Sequence, residues 1–355
     1  MTRFLLAGGG TAGHVNPLLS LADALMADDE SNKVWALGTK EGLEANLVPA
    51  RGYELLTVQR LPFPRKLSLY ALRFPFKFRA AIKQVKRYLK ANQIDAVVGF
   101  GGYASAPAYL AAKALGVPFV VHEANALPGW ANKLGAKSAK AVGIAFASTP
   151  LPNATFVGMP LRAEIEAIAE HADKEAARIH FGLDPDTATL LVTGGSLGAK
   201  RINETIEESR RVLSAAGIQV LHIMGGRSDL PEVHDKDYVR ISYCDRMDLA
   251  IAASDFAVSR AGASTVCEFA AIGLPAAYVP YPVGNGEQKL NVADLVAAEG
   301  GVMVLDADFT PAYVANQLVP LVSNSRALAA MSAKAKKVGV ADGTARLLEL
   351  VKGVL

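Results

Sequence analysis

Two glycine-rich loops, one opening each half of the chain, carry residue types that can bind phosphate. Gly8–His14 follows the apolar run Phe4–Ala7, and Gly194–Ala199 follows Thr189–Thr193. A segment with helical periodicity comes after each loop, so each region predicts a strand, a loop and a helix. A bare backbone next to a helix N-terminus can accept a diphosphate. The two halves are therefore predicted to begin with the same phosphate-binding unit.

The first loop matches the dinucleotide fingerprint in its spacing of Gly8, Gly10 and Gly13. A nicotinamide enzyme also needs an acid at the end of the second strand, where Leu37 is followed here by Gly-Thr-Lys. Lys40 would suit a 2′-phosphate instead, so an NADP-dependent enzyme remains an alternative. His14, directly after the third glycine, is either a cap of the local backbone, a phosphate contact or a general base.

A third loop, in the second half, follows the strand predicted at Phe256–Ser259. Small residues there expose backbone N–H groups, hydroxyls are at hand, and a helix N-terminus adds partial positive charge for a diphosphate. Glu268, one turn further on, can accept two ribose hydroxyls or can be an ordinary solvated helix residue. The segment reads Arg260, Ala261, Gly262, Ala263, Ser264, Thr265, Val266, Cys267, Glu268.

No metal site and no cofactor are predicted. Three Asp-x-Asp pairs begin at Asp184, Asp235 and Asp306, and this pattern can hold Mg²⁺ or Mn²⁺. The first two lie in polar turns, and the third connects a strand to a helix that starts at Thr310-Pro311. The only cysteines, Cys244 and Cys267, form no CxxC or Cys/His cluster, which favours a reducing compartment and disfavours structural zinc.

Near-continuous apolar strands alternate with helical segments along the 355 residues, which predicts parallel sheets covered on both faces. We predict two Rossmann-like α/β domains that join near Gly158-Met159-Pro160, with both sheets facing a central cleft. Domain one is residues 1–158, with 340–355 packing back on it, and domain two is 162–338. No apolar run reaches about 18 residues and no secretory segment opens the chain, so we expect a cytoplasmic protein whose membrane contact is peripheral.

One segment departs sharply from the overall charge of +3. Residues 60–94 hold ten Lys or Arg and no Asp or Glu, which leaves −7 for the rest of the chain. Six aromatic residues are interleaved with these cations. Such a patch suits an anionic phospholipid surface or a phosphate-rich polymer, each cation contributing about 1 kcal/mol near a membrane. The alternatives are a solvated helix face and a polyanion-binding protein without catalytic activity.

Several motifs together resemble the MurG family, the peripheral-membrane N-acetylglucosaminyltransferases of peptidoglycan synthesis, nearly from end to end. They are Gly8–His14, Gly101–Ser105, His122–Asn125, Gly194–Ala199, Arg260–Glu268 and Glu287-Gln288-x-x-Asn291. The resemblance implies a GT-B fold and inverting transfer of N-acetylglucosamine from UDP-N-acetylglucosamine to lipid I. The product is lipid II for cell-wall synthesis, cell shape and division, no metal is required, and no nucleic acid takes part. The runner-up is another GT-B enzyme that acts on a glycolipid.

Roles for particular residues follow from the resemblance, from the basic patch, and from inversion itself, which needs a base near the attacking hydroxyl and stabilisation of the departing diphosphate. His14 is the candidate base, with phosphate positioning as its alternative role, and Arg260 is the candidate stabiliser of the departing diphosphate. The donor-binding residues it implies are Thr11, Ala12, Gly13, Asn125, Arg162, Ser196, Cys244, Ala263, Ser264, Thr265, Val266, Cys267, Glu268 and Gln288. Docking on the anionic membrane surface is assigned to Arg65, Lys66, Arg73, Phe74, Phe76, Lys77, Phe78 and Arg79.

Overall fold

The computed structural model describes residues 1–64, 66, 68–195 and 198–355. They form two compact units, of which unit 1 is Met1–Arg162 with Asp342–Leu355 and unit 2 is Ala163–Ala341. Each unit contains one seven-stranded sheet flanked by helices. The predicted α/β architecture with two predominantly parallel sheets is confirmed.

Unit 1 is a parallel sheet with strand order β3-β2-β1-β4-β5-β6-β7. Along β1, Phe4 and Leu6 point into the core on one face, while Leu5 and Ala7 point into the core on the other. Burial on both faces explains why these strands appear in the sequence as uninterrupted apolar runs. Its elements are β1 (Arg3–Ala7), α1 (Ala12–Asp28), β2 (Lys33–Gly38), α2 (Glu44–Ala50), β3 (Glu54–Thr57), α3 (Leu69–Ala91), β4 (Ala96–Gly99), α4 (Gly102–Leu115), β5 (Phe119–Glu123), α5 (Trp130–Ala136), β6 (Ala141–Ile144) and β7 (Ala154–Phe156).

Unit 2 has strand order β10-β11-β9-β8-β12-β13-β14, with only the β10–β11 pair antiparallel among the described residues. Its elements are α6 (Ala163–Glu170), α7 (Lys174–His180), β8 (Thr189–Thr193), α8 (Lys200–Glu208), α9 (Arg210–Ala215), β9 (Gln219–Ile223), β10 (Val233–Asp235), β11 (Tyr238–Ile241), α10 (Met247–Ala252), β12 (Phe256–Ser259), α11 (Ala263–Ile272), β13 (Ala276–Tyr278), α12 (Glu287–Asn291), α13 (Ala293–Ala297), β14 (Val302–Met303), α14 (Pro311–Tyr313), a π-helical turn (Val314–Leu318), α15 (Val319–Val322) and α16 (Ser325–Val338).

The last helix, α17 (Gly343–Lys352), returns to unit 1. Leu347 and Val351 are fully buried in the core beside β1 and α1. The Thr344 hydroxyl donates to the Leu161 carbonyl at 3.2 Å, and the Lys352 Nζ contacts Asp28 at 2.8 Å. The C-terminal residues thereby complete the hydrophobic core of unit 1.

Two helices are longer than the helical pattern in the sequence indicates, because each contains a proline that interrupts the pattern. Helix α1 begins at Ala12, five residues before Pro17, where helical periodicity becomes visible in the sequence. Helix α3 includes the Phe74–Phe78 stretch, with Pro75 inside it, and Ser68 caps its N-terminus by accepting from the Ala71 N–H at 3.2 Å. No helix in the described ranges has the length and apolarity needed to cross a bilayer.

Candidate functional site

The first glycine loop is closed by a buried carboxylate. Glu44, at the start of α2, is 1% exposed and accepts the Gly10 N–H at 2.8 Å. Its second oxygen accepts both the backbone N–H and the hydroxyl of Thr39, each at 2.8 Å. Because an anion of the chain already occupies this amide, the loop cannot offer it to a dinucleotide. The NADP-dependent alternative thus loses the backbone donor on which it depended.

Sequence reasoning missed Glu44, although three glycines signal its position. A Cβ atom at Gly9, Gly38 or Gly42 would lie 2.3, 2.4 or 2.0 Å from an atom of the Glu44 side chain, so these positions must be glycine to make room for it. Burial by itself would raise the pKa of the Glu44 carboxyl. Hydrogen bonds, chiefly from the Gly10 and Thr39 amides, outweigh burial and lower the pKa below its ordinary value, so the group is ionised at neutral pH.

His14 lies in the first turn of α1, together with Ala12 and Gly13. Its Nδ1 is 3.1 Å from the Gly9 carbonyl oxygen and 3.2 Å from the Thr11 hydroxyl. Because a carbonyl oxygen can only accept, we assign the proton to Nδ1, and Nε2 is then the nitrogen able to take up a proton. Nε2 points toward Gly101, where a Cβ atom would lie 3.1 Å away.

The loops that follow β4 and β5 lie beside the His14 loop, because these strands are consecutive neighbours of β1 in the sheet. Glu123, 2% exposed, accepts from the backbone amides of Asn125 and Gly129 at 2.9 Å and from the Asn132 amide group at 2.9 Å. Asn132 also accepts from the buried Tyr109 hydroxyl at 2.7 Å. Glu123 and Asn132, neither singled out from the sequence for its side chain, therefore shape the loop that carries Asn125.

Two further residues of unit 1 bear on the site. Burial lowers the pKa of His122 to about 4, and its Nε2 lies 3.0 Å from the Gly158 carbonyl, so this imidazole is neutral and structural. Arg162, predicted to bind the donor, is the last residue of the first segment of unit 1.

In unit 2 the start of α11 has the features expected of an anion site. Its N-cap residue, Gly262, has no side chain that could cap the first amides, and its first turn contains no acidic residue. The hydroxyl of Ser264 is buried and has no hydrogen-bond partner within the described ranges. Glu268, 9% exposed, lies four residues on, so it shares a helix face with Ser264. A hydroxyl, open amides and a carboxylate are therefore aligned for a ligand that has both phosphate and hydroxyl groups.

The other predicted residues of this helix serve mainly its packing. Val266 is 2% exposed and belongs to the interior. Burial raises the pKa of the Cys267 thiol far above its ordinary value, which keeps the group protonated and unreactive. Thr265 is half-buried, and its hydroxyl lies 4.0 Å from a Cβ atom built at Gly262. Ala263 and Val266 can contribute to a ligand site only through their backbone.

Arg260 is clamped at the ends of three neighbouring strands. Its Nη1 donates to the carbonyl oxygens of Val279 at 3.0 Å and Pro280 at 3.4 Å and to the Asp306 carboxylate at 2.5 Å. The guanidinium also lies over the Tyr281 ring, 5.6 Å from its centroid. Asp306, which the sequence suggested only as part of a connection, therefore fixes this arginine at the edge of the sheet.

The Glu287-Gln288-x-x-Asn291 motif holds the loop before α11 in place. The side-chain oxygen of Gln288, Oε1, accepts the Ala261 N–H at 3.2 Å and the Tyr281 N–H at 2.9 Å, and the side-chain amide of Asn291 donates to the Ala261 carbonyl at 3.2 Å. The Gln288 oxygen is thus engaged by the backbone. Its Nε2 is the atom suited to donate to a sugar hydroxyl.

The loops after β8, β9 and β11 pack tightly on one another. A Cβ atom at Gly225 would lie 2.1 Å from the Gly198 nitrogen, and the Gly225 N–H donates to the Ser242 carbonyl at 3.0 Å. Cys244 follows in the last of these loops and is 8% exposed. Ser196, predicted to contact the nucleotide, lies outside the described residues.

Each Asp-x-Asp pair has partners of its own. Asp184 accepts from the Asp186 N–H at 2.9 Å, Asp235 pairs with Arg210 at 2.6 Å, and Asp306 pairs with Arg260. In the part of the chain that the structure describes, no three His, Cys, Asp or Glu side chains come close enough together to hold a metal ion. Asp184, Asp235 and Asp306 therefore act as turn and ion-pair residues.

The basic segment presents two distinct apolar features on and beside α3. The first is an aromatic cluster in which the Phe74 and Phe78 rings stack at 5.5 Å and contact Phe63 and Trp130. The second, which we call the apolar stripe, is Leu69, Leu72 and Phe76, respectively 74%, 71% and 71% exposed. Residues at i, i+3 and i+7 share a helix face, and Phe76 therefore points away from Phe74 and Phe78. The sequence had grouped these three phenylalanines as one inserting set.

The predicted cations lie around these features. Lys66, Arg73 and Arg79 are exposed, and the Lys77 Nζ lies 5.9 Å from the centroid of the Tyr70 ring. Arg65 lies outside the described residues. Leu69 and Leu72 were missed, although their spacing from Phe76 would have revealed the stripe had α3 been extended back through Pro75.

Comparison with known families matches both units. Residues 4–144 fit the glycosyltransferase family 28 N-terminal domain, and residues 189–347 fit the glycosyltransferase family 28 C-terminal domain. Among solved structures, that of MurG from Acinetobacter baumannii is similar, with a TM-score of 0.76 and 27% sequence identity, covering 99% of this chain and 100% of that one.

Curated relatives are similar over nearly their whole length. A protein of Leifsonia xyli subsp. xyli is 57% identical over 352 residues, 99% of this chain and 98% of its own. A protein of Streptomyces coelicolor is 48% identical over 351 residues, 98% of this chain and 96% of its own. Both are named UDP-N-acetylglucosamine--N-acetylmuramyl-(pentapeptide) pyrophosphoryl-undecaprenol N-acetylglucosamine transferase.

Proposed function

The chain belongs to the MurG family within glycosyltransferase family 28, and we infer that it transfers N-acetylglucosamine from UDP-N-acetylglucosamine to lipid I, giving lipid II for peptidoglycan synthesis. The observation that carries this inference is 57% identity sustained over 99% of the chain, which leaves neither unit unaccounted for. The predicted GT-B fold class is confirmed by the same comparisons.

Unit 2 is the proposed donor domain. Its α11 N-terminus, with Ser264 and Thr265, binds the diphosphate, while Glu268 accepts the ribose hydroxyls. The supporting observation is that the Ser264 hydroxyl is buried beside backbone N–H groups that no side chain caps. The oxygens of a bound phosphate can accept hydrogen bonds from both. Arg260 stabilises the departing UDP and Gln288 donates to the sugar. The remaining donor contacts are proposed at Asn125, Arg162, Ser196, Cys244, Ala263, Val266 and Cys267.

Unit 1 is the proposed acceptor domain. Thr11, Ala12 and Gly13, at the start of α1, are proposed to lie near the sugar and diphosphate of the donor, and His14 is the proposed general base. Support comes from the Nδ1 contact to the Gly9 carbonyl, since a proton held on Nδ1 leaves Nε2 in the form that accepts one.

The reaction proceeds as a single displacement with inversion. The muramoyl 4-oxygen forms a bond to the anomeric carbon as its proton moves to His14 Nε2, and the bond from that carbon to the UDP oxygen breaks with its electron pair leaving on UDP. Arg260 and the α11 N-terminus stabilise the charge that grows on the β-phosphate. The proton on His14 is then released to solvent. Side-chain and backbone donors supply this stabilisation, so the transferase is proposed to need no metal.

Release of UDP tests the proposal directly. The full chain should release UDP from UDP-N-acetylglucosamine with a lipid I analogue and should not do so with glycolipids that lack the muramoyl group. Turnover should persist in EDTA. Equal turnover with an unrelated glycolipid would favour a different GT-B activity, and complete loss in EDTA that Mn²⁺ restores would contradict metal independence.

We also propose that the apolar stripe of Leu69, Leu72 and Phe76 docks the enzyme on the cytoplasmic membrane surface. The three side chains are largely exposed, and Lys66, Arg73 and Arg79 accompany them. An apolar helix face bordered by cations suits a headgroup boundary with anionic lipid. The aromatic cluster of Phe63, Phe74, Phe78 and Trp130 supports this end of α3 and contributes its exposed edges.

Replacing Leu72 and Phe76 by serine should weaken binding to anionic vesicles about 100-fold or more, since each buried apolar side chain contributes roughly 1.5–3 kcal/mol. Replacing Leu43, the N-cap residue of α2, and Leu47 on α2, both exposed in the same unit, is the matched control and should leave binding unchanged. Co-sedimentation measures both, and activity on a short-chain soluble acceptor should survive each pair of changes. Equal binding by the two double variants would contradict docking through the stripe.

A further inference from the structure

Glu44 and His14 are linked through one peptide group. The N–H of the peptide between Gly9 and Gly10 donates to Glu44 Oε2 at 2.8 Å, and the C=O of the same peptide lies 3.1 Å from His14 Nδ1. In a trans peptide the N–H and C=O point in opposite directions, so the carboxylate and the imidazole lie on opposite sides of one planar group. The carboxylate, the peptide and the imidazole therefore form one chain of hydrogen bonds.

Such a chain strengthens each of its members. A carboxylate that accepts a hydrogen bond from a peptide N–H polarises that peptide group, which makes its carbonyl oxygen a better acceptor. A stronger carbonyl acceptor holds the Nδ1–H tautomer and favours the imidazolium that forms when Nε2 takes a proton. An aspartate does the same for a catalytic histidine by direct contact in serine hydrolases. Here the peptide stands between the two groups.

We propose that Glu44 is a positioning residue that fixes the tautomer and orientation of His14 through the Gly9–Gly10 peptide group. The inference rests on the proposed role of His14 as general base. No proton passes along the peptide, and Glu44 remains ionised throughout. Among the described residues, titratable groups that interact with this pair include Arg60 on the Glu44 side, itself beside Glu41 and Tyr103, and His122 on the His14 side.

The space around the carboxylate supports a dedicated role. Three glycines, Gly9, Gly38 and Gly42, leave room for Glu44, and no side chain larger than a hydrogen fits at any of them. Gly10 itself has φ +93°, in the left-handed region that favours glycine. Four glycines from two loops thus shape a pocket for one carboxylate, which holds the loop immediately before His14.

Glu44→Gln is the diagnostic variant. A glutamine has one oxygen and one NH₂, so it cannot accept from both the Gly10 and the Thr39 amides, and the negative charge is lost. We expect kcat to fall about 10- to 100-fold, by analogy with the range for hydrogen-bond partners that orient metal-binding histidines, with UDP affinity unchanged. Thr39→Val is the matched control, because it removes one hydrogen bond to Glu44 but keeps the carboxylate and its bond to Gly10. It should retain nearly full kcat.

A double-mutant cycle separates positioning from simple destabilisation. If Glu44 acts through His14, Glu44→Gln should lower kcat little further in a His14→Ala background. Additive losses would overturn the inference, as would a loss in Thr39→Val equal to that in Glu44→Gln. If His14→Ala alone keeps the wild-type kcat, the base assignment fails, which is a separate result.

The tautomer of His14 can be measured directly, without an activity assay. Imidazole ¹⁵N–¹H spectra of the histidine-labelled full chain, with His14 assigned from His14→Ala, should show Nδ1 protonated in the wild type. Glu44→Gln should shift His14 toward the Nε2–H tautomer, while Thr39→Val should not. An unchanged His14 tautomer in Glu44→Gln would overturn the inference whatever the kinetics.

Discussion

Helix α1 in unit 1 and helix α11 in unit 2 both begin after a buried strand and a short loop that contains glycine. Neither has an acidic residue in its first turn or a side chain that caps its first amides. The loop before α1 nevertheless carries an internal anion, since Glu44 occupies the Gly10 amide. The loop before α11 is held by Gln288 and Asn291 from outside, and the Ser264 hydroxyl remains buried without a partner in the described ranges.

The difference teaches that a glycine loop before a helix can be either a ligand site or a device for holding a catalytic group. An amide that already donates to a carboxylate of the chain is a satisfied hydrogen-bond donor and gains nothing from a phosphate. Its rigidity is then available to orient a neighbouring side chain such as His14. A helix start that leaves a hydroxyl and its amides unsatisfied gains hydrogen bonds when an anionic ligand arrives.

His14→Ala provides the largest test of this contrast. If the α1 loop serves catalysis, kcat should fall by about 10² to 10⁴, the usual range for a lost general base. UDP affinity should stay within about twofold, because the nucleotide is assigned to unit 2. Steady-state turnover and calorimetry measure the two quantities.

His171→Ala, an exposed histidine outside both candidate sites, is the control and should keep the wild-type kcat. A His14→Ala enzyme that turns over at the wild-type rate would remove the base from the α1 loop. Loss of UDP affinity with unchanged kcat would instead move the nucleotide to unit 1 and reverse the comparison.

Glu268→Ala tests the α11 side with a smaller expected effect. Hydrogen bonds to a charged group contribute about 1.5–3 kcal/mol, so UDP affinity should drop roughly 10- to 150-fold. Replacing Glu44, the other buried glutamate beside a helix start, should leave UDP affinity unchanged. Calorimetric titration of UDP into both variants compares them, and equal affinities would show that Glu268 does not hold the ribose.

The parts of this fold that follow from local pattern could be predicted from the sequence. The apolar runs Phe4–Ala7 in β1 and Leu190–Val192 in β8 are uninterrupted because parallel strands are buried on both faces. The glycines that follow these two strands, and the small residues at the start of α11, predicted where the loops at the edge of each sheet lie. The diphosphate site at Arg260–Glu268 was predicted in the same way, because small residues, hydroxyls and a helix start can be recognised from the local sequence alone.

Contacts between distant residues could not be predicted. Glu44 meets Gly10 across 34 positions, from a polar turn that is typical of a protein surface, and Asp306 meets Arg260 across 46. The direction of Phe76 depends on the helical phase of α3, which Pro75 obscures in the sequence. Side-chain partners follow from the order of strands, and nothing in the spacing along the chain encodes that order.

Ser264→Ala gives the finest test, because it should move two quantities in opposite directions. In the ligand-free protein it removes a buried hydroxyl that has no partner in the described ranges, so thermal stability should stay the same or rise, since such a group costs about 1–3 kcal/mol. With UDP bound, it removes a hydrogen bond worth about 0.5–1.5 kcal/mol, so affinity should fall roughly 2- to 12-fold.

Ser20→Ala is the matched control for that change. Ser20 lies on α1, is 6% exposed, and its hydroxyl is likewise buried without a partner in the described ranges. It should therefore give a similar change in melting temperature with no change in UDP affinity, because no ligand is assigned to that hydroxyl. Thermal melts of both variants with and without UDP measure this difference, since at a fixed UDP concentration a bound ligand raises the melting temperature more when it binds more tightly, with the logarithm of its affinity. If the UDP-dependent shift is equal in the two variants, the hydroxyl at the start of α11 is as structural as the one on α1, and the contrast between the two helices disappears.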